Sequence, residues 1–213
     1  MADLSDPIDR LEAALRAVNE IEANNIIDDA MGQMTPLECA ERLITPVLRR
    51  LGTGWVDGDV SLSQVYMGGR ICEKALERLL PEAKQTYRVR PKVAIAILED
   101  YHNLGARLLL SVLRASGIDP IYYDHQTVTS LISKAKADGI EVLLVSTLMY
   151  RSALKVRDLR KEMVKMSISP VLMVGGAPFL FDEELWRVVG ADEMGKDTSA
   201  AVKAVNRMSE VKV

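Results

Sequence analysis

Six consecutive apolar residues, Val93-Ala94-Ile95-Ala96-Ile97-Leu98, constrain this chain more than any other feature. A strand with one face in water alternates polar and apolar residues. A strand with no polar member is covered on both faces, which is the situation in a parallel sheet flanked by helices. Further apolar runs follow at Pro120–Tyr123, Val142–Val145 and Val171–Val174, with a weaker one near Ala191–Met194. Helical patterns separate them at Leu104–Ser116 (closed by Gly117), Val128–Ala137, Ala153–Met166 and Glu183–Val189, and a last one runs over Ser199–Met208. Strands alternating with helices predict a doubly wound α/β domain with a five-stranded parallel sheet, of the flavodoxin-like or Rossmann-like kind.

Before that run the apolar period is 3.6. Asp6-Pro7 reads as an N-cap followed by proline at the first helical position, with Ile8, Leu11, Leu15 and Val18 on one face. Asn19 and Glu22 suggest a second helix start, with a helix to about Met31. Thr35-Pro36-Leu37-Glu38 is a capping box, opening a helix expected to run to Leu51 with a kink at Pro46. Gly52, Gly54 and Gly58 are expected to mark a loop. Ser61 and Gln64 form another capping box, before a stripe of Val65, Gly69, Cys72, Leu76 and Leu79. Four helices with short connections predict an all-α four-helix bundle. The expected organisation is a helical domain over 1–84, a linker over 85–91 and an α/β domain over 92–213.

Composition narrows the class. Lys and Arg nearly balance Asp and Glu, for a net charge of −3, so nothing draws the chain to nucleic acid or to an anionic membrane. No apolar run approaches the length of a bilayer span. Met1–Arg10 is polar, with Asp3, Asp6 and Asp9 where a secretion signal would have its apolar core, and a cytoplasmic location is expected. Cys39 and Cys72 fall on expected helices and read as reduced core thiols. Ten methionines read as core filling. His125 matches no motif and reads as a surface residue.

In a doubly wound sheet, ligands bind past the carboxyl ends of the strands, near the point where strand order reverses. The residues at those ends are Asp100-Tyr101-His102-Asn103-Leu104-Gly105 after the first strand, Ser146-Thr147-Leu148 after the third and Gly175-Gly176 after the fourth. In flavodoxin-like order those three strands are neighbours, and the three segments line one crevice.

Asp-x-His-x-x-Gly, Ser-x-Leu and Gly-Gly in this order resemble the fingerprint of proteins that bind cobalamin with its lower base displaced. The helical half is similar to the cap domain of methionine synthase and of methyl-transferring corrinoid proteins, through Ile44-Thr45-Pro46-Val47 and Leu51-Gly52-Thr53-Gly54-Trp55-Val56-Asp57-Gly58-Asp59-Val60-Ser61-Leu62. The resemblance implies a bound cobalamin, as methylcobalamin or another corrinoid. It implies His102 as the lower axial ligand of cobalt, a position that suits a neutral imidazole. Metal-bound histidines commonly give their other N–H to a carboxylate, and Asp100 is implied in that part, with Ser152 extending the relay. Gly105 is implied to let the ring approach the helix start. Ser146 and Leu148 are implied to contact the nucleotide tail, with Gly175 and Gly176 making room for it. Trp55 and Leu62, with Val65 one turn on, are implied to shield the upper face of the corrin. The chain departs from the family in having Asn103-Leu104-Gly105-Ala106 where Asp-Ile-Gly-Lys is usual, Trp55 where phenylalanine is usual, and Tyr150 where a small hydroxyl residue is common.

The function implied is a carrier that takes a methyl group from a substrate-specific methyltransferase subunit and delivers it to an acceptor methyltransferase subunit, with no complete active site of its own. Two other classes share the fingerprint. A cobalamin-dependent sensor commonly adds a basic DNA-binding domain, a composition not seen here. The small subunit of an adenosylcobalamin mutase usually lacks the helical cap. The upper ligand distinguishes them, being methyl for the carrier and adenosyl for the others.

Overall fold

A computed structural model describes residues 4–79 and 91–210, and the chain divides into two compact units, residues 1–82 and 83–213. The linker expected over 85–91 lies, apart from Pro91, outside the described residues.

The first unit is helical. Helix α1 spans Ser5–Arg16 and α2 spans Glu20–Met31. The third helix is built in pieces: α3 over Pro36–Cys39, a π-helical turn over Ala40–Ile44, and α4 over Thr45–Val56. Helix α5 spans Leu62–Leu79. α1 packs against α2, α4 and α5, around Leu11, Leu15, Ile27, Leu43, Ile44 and Leu51, which are almost fully buried. Both capping boxes form. Thr35 and Glu38 exchange backbone-to-side-chain bonds of 2.9 and 3.3 Å, and Ser61 and Gln64 do so at 2.8 and 3.3 Å. Asn19 caps α2 by accepting from the Glu22 N–H at 3.1 Å.

Several details differ from the sequence expectations. α1 starts one residue before Asp6, so Pro7 sits inside the first turn, where its missing N–H costs nothing. Val18 lies past the helix with φ +54°. The distortion expected at Pro46 is taken up by the π turn just ahead of it. There the Thr45 N–H reaches back five residues to the Ala40 carbonyl, which also accepts from Thr45 Oγ1 at 2.8 Å. The helix does not stop at Leu51. It continues through Gly52 and Gly54 to Val56, and the turn is made by Gly58 at φ +84°. Gly54 is there for closeness: a Cβ on it would lie 2.6 Å from Val60 Cγ2, because the chain folds back to bond its Asp59 and Val60 N–H groups to the Gly54 carbonyl. On α5 the buried apolar residues are Gly68, Ile71, Cys72 and Ala75, one position round from the expected stripe, with Glu73 buried beside them and Val65 and Gly69 only half-buried. Gly68 sets this rotation by sitting under Leu51 and Leu15. The side chains of Leu76 and Leu79 lie outside what is described.

The second unit is the expected α/β domain. In chain order it contains β1 Val93–Leu98, α6 Leu104–Ala115, β2 Ile121–Gln126, α7 Val128–Asp138, β3 Val142–Ser146, α8 Tyr150–Lys165, β4 Val171–Gly175, the short α9 Ala177–Phe181 and α10 Leu185–Val188, β5 Glu193–Gly195, and α11 Thr198–Glu210. The five strands are all parallel, in the order β2-β1-β3-β4-β5. β1 is buried along its whole length, as its composition requires. One face of the sheet packs on α6 and α11 through Ile95, Ile97, Leu113, Leu144 and Val205. The other packs on α7 and α8 through Leu98, Leu131, Val145, Val156 and Phe179. α8 begins three residues earlier than expected, and α9 was not anticipated; Pro178 at its start supplies a fixed φ suited to a first turn. Among the described residues no helix is long and apolar enough to cross a membrane.

Cys39 and Cys72 are both free and buried. Burial pushes the Cys39 thiol up to about 11 and the Cys72 thiol up to about 12, so neither forms much thiolate near neutrality. The native chain at pH 7.5 should therefore resist iodoacetamide, with both cysteines alkylated once the chain is unfolded in denaturant. Rapid labelling of the folded protein would contradict the burial of this core.

Candidate functional site

The strand ends meet in register. Ile97 pairs with Ser146, Ser146 with Gly175, and Gly175 with Gly195. The last residues of β3, β4 and β5 are thus a row of one serine and two glycines, leaving the sheet edge almost free of side chains. Gly105, in the first turn of α6, faces the same row: a Cβ there would lie 3.6 Å from Ser146 Oγ, with nothing else within 4 Å. Sequence reading found Gly105, Ser146 and Gly175 but missed Gly195. Only the pairing of β5 reveals it, since a single glycine after a weak apolar run carries no signal.

Past β1 the backbone turns sharply. Glu99 adopts φ +50°, a left-handed conformation that a non-glycine residue takes at some cost. Its N–H bonds to the Gln126 carbonyl at 2.9 Å, and its own carbonyl accepts from Ser152 Oγ at 2.7 Å. The turn carries Asp100 back into the sheet edge, where only 4% of it is exposed. Asp100 Oδ1 accepts from the Tyr101 N–H at 2.8 Å, the His102 N–H at 3.3 Å and His102 Nδ1 at 2.9 Å. Asp100 Oδ2 accepts from the Leu148 and Met149 N–H groups at 2.8 and 2.9 Å. Burial alone would raise this carboxyl; the His102 ring and the amides of Met149, Leu148 and His102 outweigh it and hold it well below the usual carboxylate range. A carboxylate only accepts, so the proton on the His102 ring sits at Nδ1, and Nε2 is the nitrogen a metal would take. His102 is half-buried at the mouth of this arrangement.

The sequence-derived residues do not all fall in one place. Asp100, His102, Gly105, Ser146, Leu148 and Gly175 come together at the strand ends. Ser152 is buried beside them, but its hydroxyl holds the Glu99 carbonyl and makes no hydrogen bond to the Asp100 carboxylate. It braces the loop through the backbone. Gly176 is required by the chain itself: at φ +114°, a Cβ would lie 1.8 Å from the Thr147 carbonyl oxygen, so no side chain fits whether or not a ligand is bound. Trp55, Leu62 and Val65 belong to the helical unit. Trp55 is 40% and Leu62 is 47% exposed, alongside exposed Tyr66 and Met67, while Val65 is half-buried. His125 is no isolated surface residue. It is half-buried, stacked on Tyr101, and bonded through Nδ1 to the Asp100 carbonyl.

The residues fit a corrinoid. A histidine whose Nδ1–H is held by an anchored carboxylate is the standard donor for a transition metal, and the Ser146–Gly175–Gly195 row with Gly105 leaves space where other residues would project side chains. Asp100→Asn removes one charged acceptor oxygen from a group that receives five hydrogen bonds. It should destabilise the cofactor-free chain by about 1–3 kcal/mol in urea unfolding. Because the folded carboxyl lies below its ordinary value of 3.8, this contribution is complete at neutral pH and fades as pH falls below that value. The gap between wild type and variant should therefore narrow on acidification; a gap that is absent at pH 7, or that widens in acid, would contradict this account.

Residues 91–205 match a family model described as a B12 binding domain, and residues 7–80 match a second model with the same description. Monomethylamine corrinoid protein 1 of Methanosarcina acetivorans is 30% identical over 218 residues, covering 94% of this chain and 96% of the relative. Monomethylamine corrinoid protein 1 of Methanosarcina mazei is 30% identical over 190 residues, covering 82% and 84%. The solved structure of the Methanosarcina barkeri monomethylamine corrinoid protein superimposes with a TM-score of 0.81 at 22% identity, over 97% of this chain and 100% of that one. With the strand-end site built on Asp100 and His102, and with helical and α/β modules both matched, this chain belongs to the B12-binding family of corrinoid proteins.

Proposed function

We propose that the chain carries a methyl group on a corrinoid between two methyltransferase subunits, one that demethylates a substrate and one that methylates an acceptor. The observation that carries this reading is the bond from His102 Nδ1 to the doubly anchored Asp100 carboxylate at the strand ends. The names of its relatives, monomethylamine corrinoid proteins, support a methylamine as the donor. Bound cobalt supplies the ability to accept and release the methyl group. His102 would hold the cobalt through Nε2, in place of the cofactor's own base. Asp100 keeps the proton on Nδ1 and raises the basicity of Nε2. Ser152 steadies the Glu99 turn that aims Asp100. Gly105, Ser146, Leu148 and Gly175 would receive the nucleotide tail, and Gly176 maintains the close approach of the β3 and β4 ends on which that space depends. Trp55 and Leu62, left partly exposed by the helical unit, would together with Val65 keep water from the bound methyl group.

Two experiments test this. The full chain is reconstituted with methylcobalamin and offered monomethylamine and dimethylamine with the methyltransferases of the Methanosarcina relatives. Methyl transfer that needs both this chain and a methyltransferase is expected, and an adenosyl upper ligand on the purified protein would favour the sensor or mutase reading instead. In the cobalt(II) form, electron paramagnetic resonance should show splitting by one imidazole nitrogen. His102→Ala should abolish it, and splitting that survives would exclude His102 as ligand.

Trp55→Ala should leave corrinoid affinity within about twofold, because the tail contacts are untouched, and should speed photolysis of bound methylcobalamin, because the methyl radical is less caged. Equal photolysis in wild type and variant would remove Trp55 from the shield.

A further inference from the structure

His125 has no place in the motifs that define the site, yet the chain distorts to bring it there. β1 and β2 pair Ile95 with Tyr122 but Ile97 with His125, so β2 carries one residue more than its neighbour between those pairs. The extra residue is accommodated by a left-handed backbone at Asp124, φ +53°. Such bulges re-aim the side chains beyond them and are over-represented beside functional sites. In unbroken register Asp124 would stand opposite Ile97; the bulge puts His125 there.

The imidazole then grips the ligand loop twice. Its Nδ1–H donates to the Asp100 backbone carbonyl, which only accepts. Its ring lies flat against Tyr101, with centroids 4.4 Å apart and planes 16° from parallel. Tyr101 is 81% exposed, so its position is set by this stack and not by burial in a core. The Asp100–His102 segment is therefore held from two sides: the Leu148 and Met149 amides fix the Asp100 carboxylate from the loop after β3, and His125 fixes the Asp100 carbonyl and the Tyr101 ring from β2.

We propose that His125 is a positioning residue, clamping the Asp100–His102 segment so that His102 is presented to the corrinoid in one orientation. The effect on the corrinoid rests on the reading of His102 as ligand; the clamp itself does not.

The test uses the full-length chain with His125→Ala, His125→Asn, whose amide nitrogen can replace Nδ1, and His125→Phe, which keeps a ring and loses the donor. Three measurements are made: NMR-detected exchange of the Tyr101 and His102 amides without cofactor, affinity for cob(II)alamin, and the nitrogen splitting of the bound cobalt(II) form. In His125→Ala, exchange at both amides should quicken about tenfold and affinity should fall about tenfold, the scale of one hydrogen bond plus one ring stack, with part of the signal losing its splitting. His125→Asn should recover more of each than His125→Phe. Unchanged exchange in His125→Ala would overturn the clamp. Faster exchange with unaltered affinity and splitting would overturn its role in positioning His102. If splitting persists in a His102→Ala control, the ligand assignment fails, and the exchange measurement still decides the clamp.

Discussion

The Asp100 carboxylate is the interaction on which the α/β unit's site depends. A buried charge without donors is expensive, and such a group would normally take up a proton instead. Asp100 stays ionised because its own loop supplies three donors and the loop after β3 supplies two more. The carboxylate is therefore a tie between two segments about fifty residues apart in the chain. It also fixes the tautomer of His102, so the structural role and the chemical role of one side chain cannot be separated.

Topology explains why this tie sits where it does. In the order β2-β1-β3-β4-β5, the chain leaves β1 for α6 on one face of the sheet and leaves β3 for α8 on the other. Neighbouring strands whose connections diverge open a crevice at their carboxyl ends. Asp100 spans it, Ser146 and Gly105 line one side, and the glycines of β4 and β5 keep the continuation of the edge low. Two left-handed non-glycine residues support the Asp100 loop, Glu99 just before it and Asp124 beside His125, which bonds to it. Their strain is tolerated because the conformation is held by several partners: the Glu99 N–H and carbonyl are both bonded, and the residue after Asp124 is hydrogen-bonded and stacked.

The helical unit follows a different logic. Its core is complete without Trp55 and Leu62, since α1, α2, α4 and α5 already bury Leu11, Leu15, Ile27, Leu43 and Leu51. Partly exposed Trp55, Leu62, Tyr66 and Met67 are apolar surface not used for folding.

Local sequence determined much of this protein. The apolar run Val93–Leu98 dictated a strand covered on both sides, the capping pairs Thr35/Glu38 and Ser61/Gln64 placed two helix starts, and Asp100-x-His102 set a histidine beside its carboxylate, because each depends on residues within a few positions of one another. What tertiary structure decided are the features set by distant partners. Gly52 and Gly54 look like helix breakers, but both lie inside α4, where Gly54 packs against Val60 after the chain has folded back. Ser152 looked like a partner of Asp100, but the turn at Glu99 presents it with a carbonyl instead. Gly195 joined the site only through β5 pairing. His125 looked like a surface residue because nothing near it in sequence reveals that a bulge shifts its register by one. A one-residue slip in a strand turns every later side chain to the other face, and that is a property of the pairing, invisible until both strands are in place.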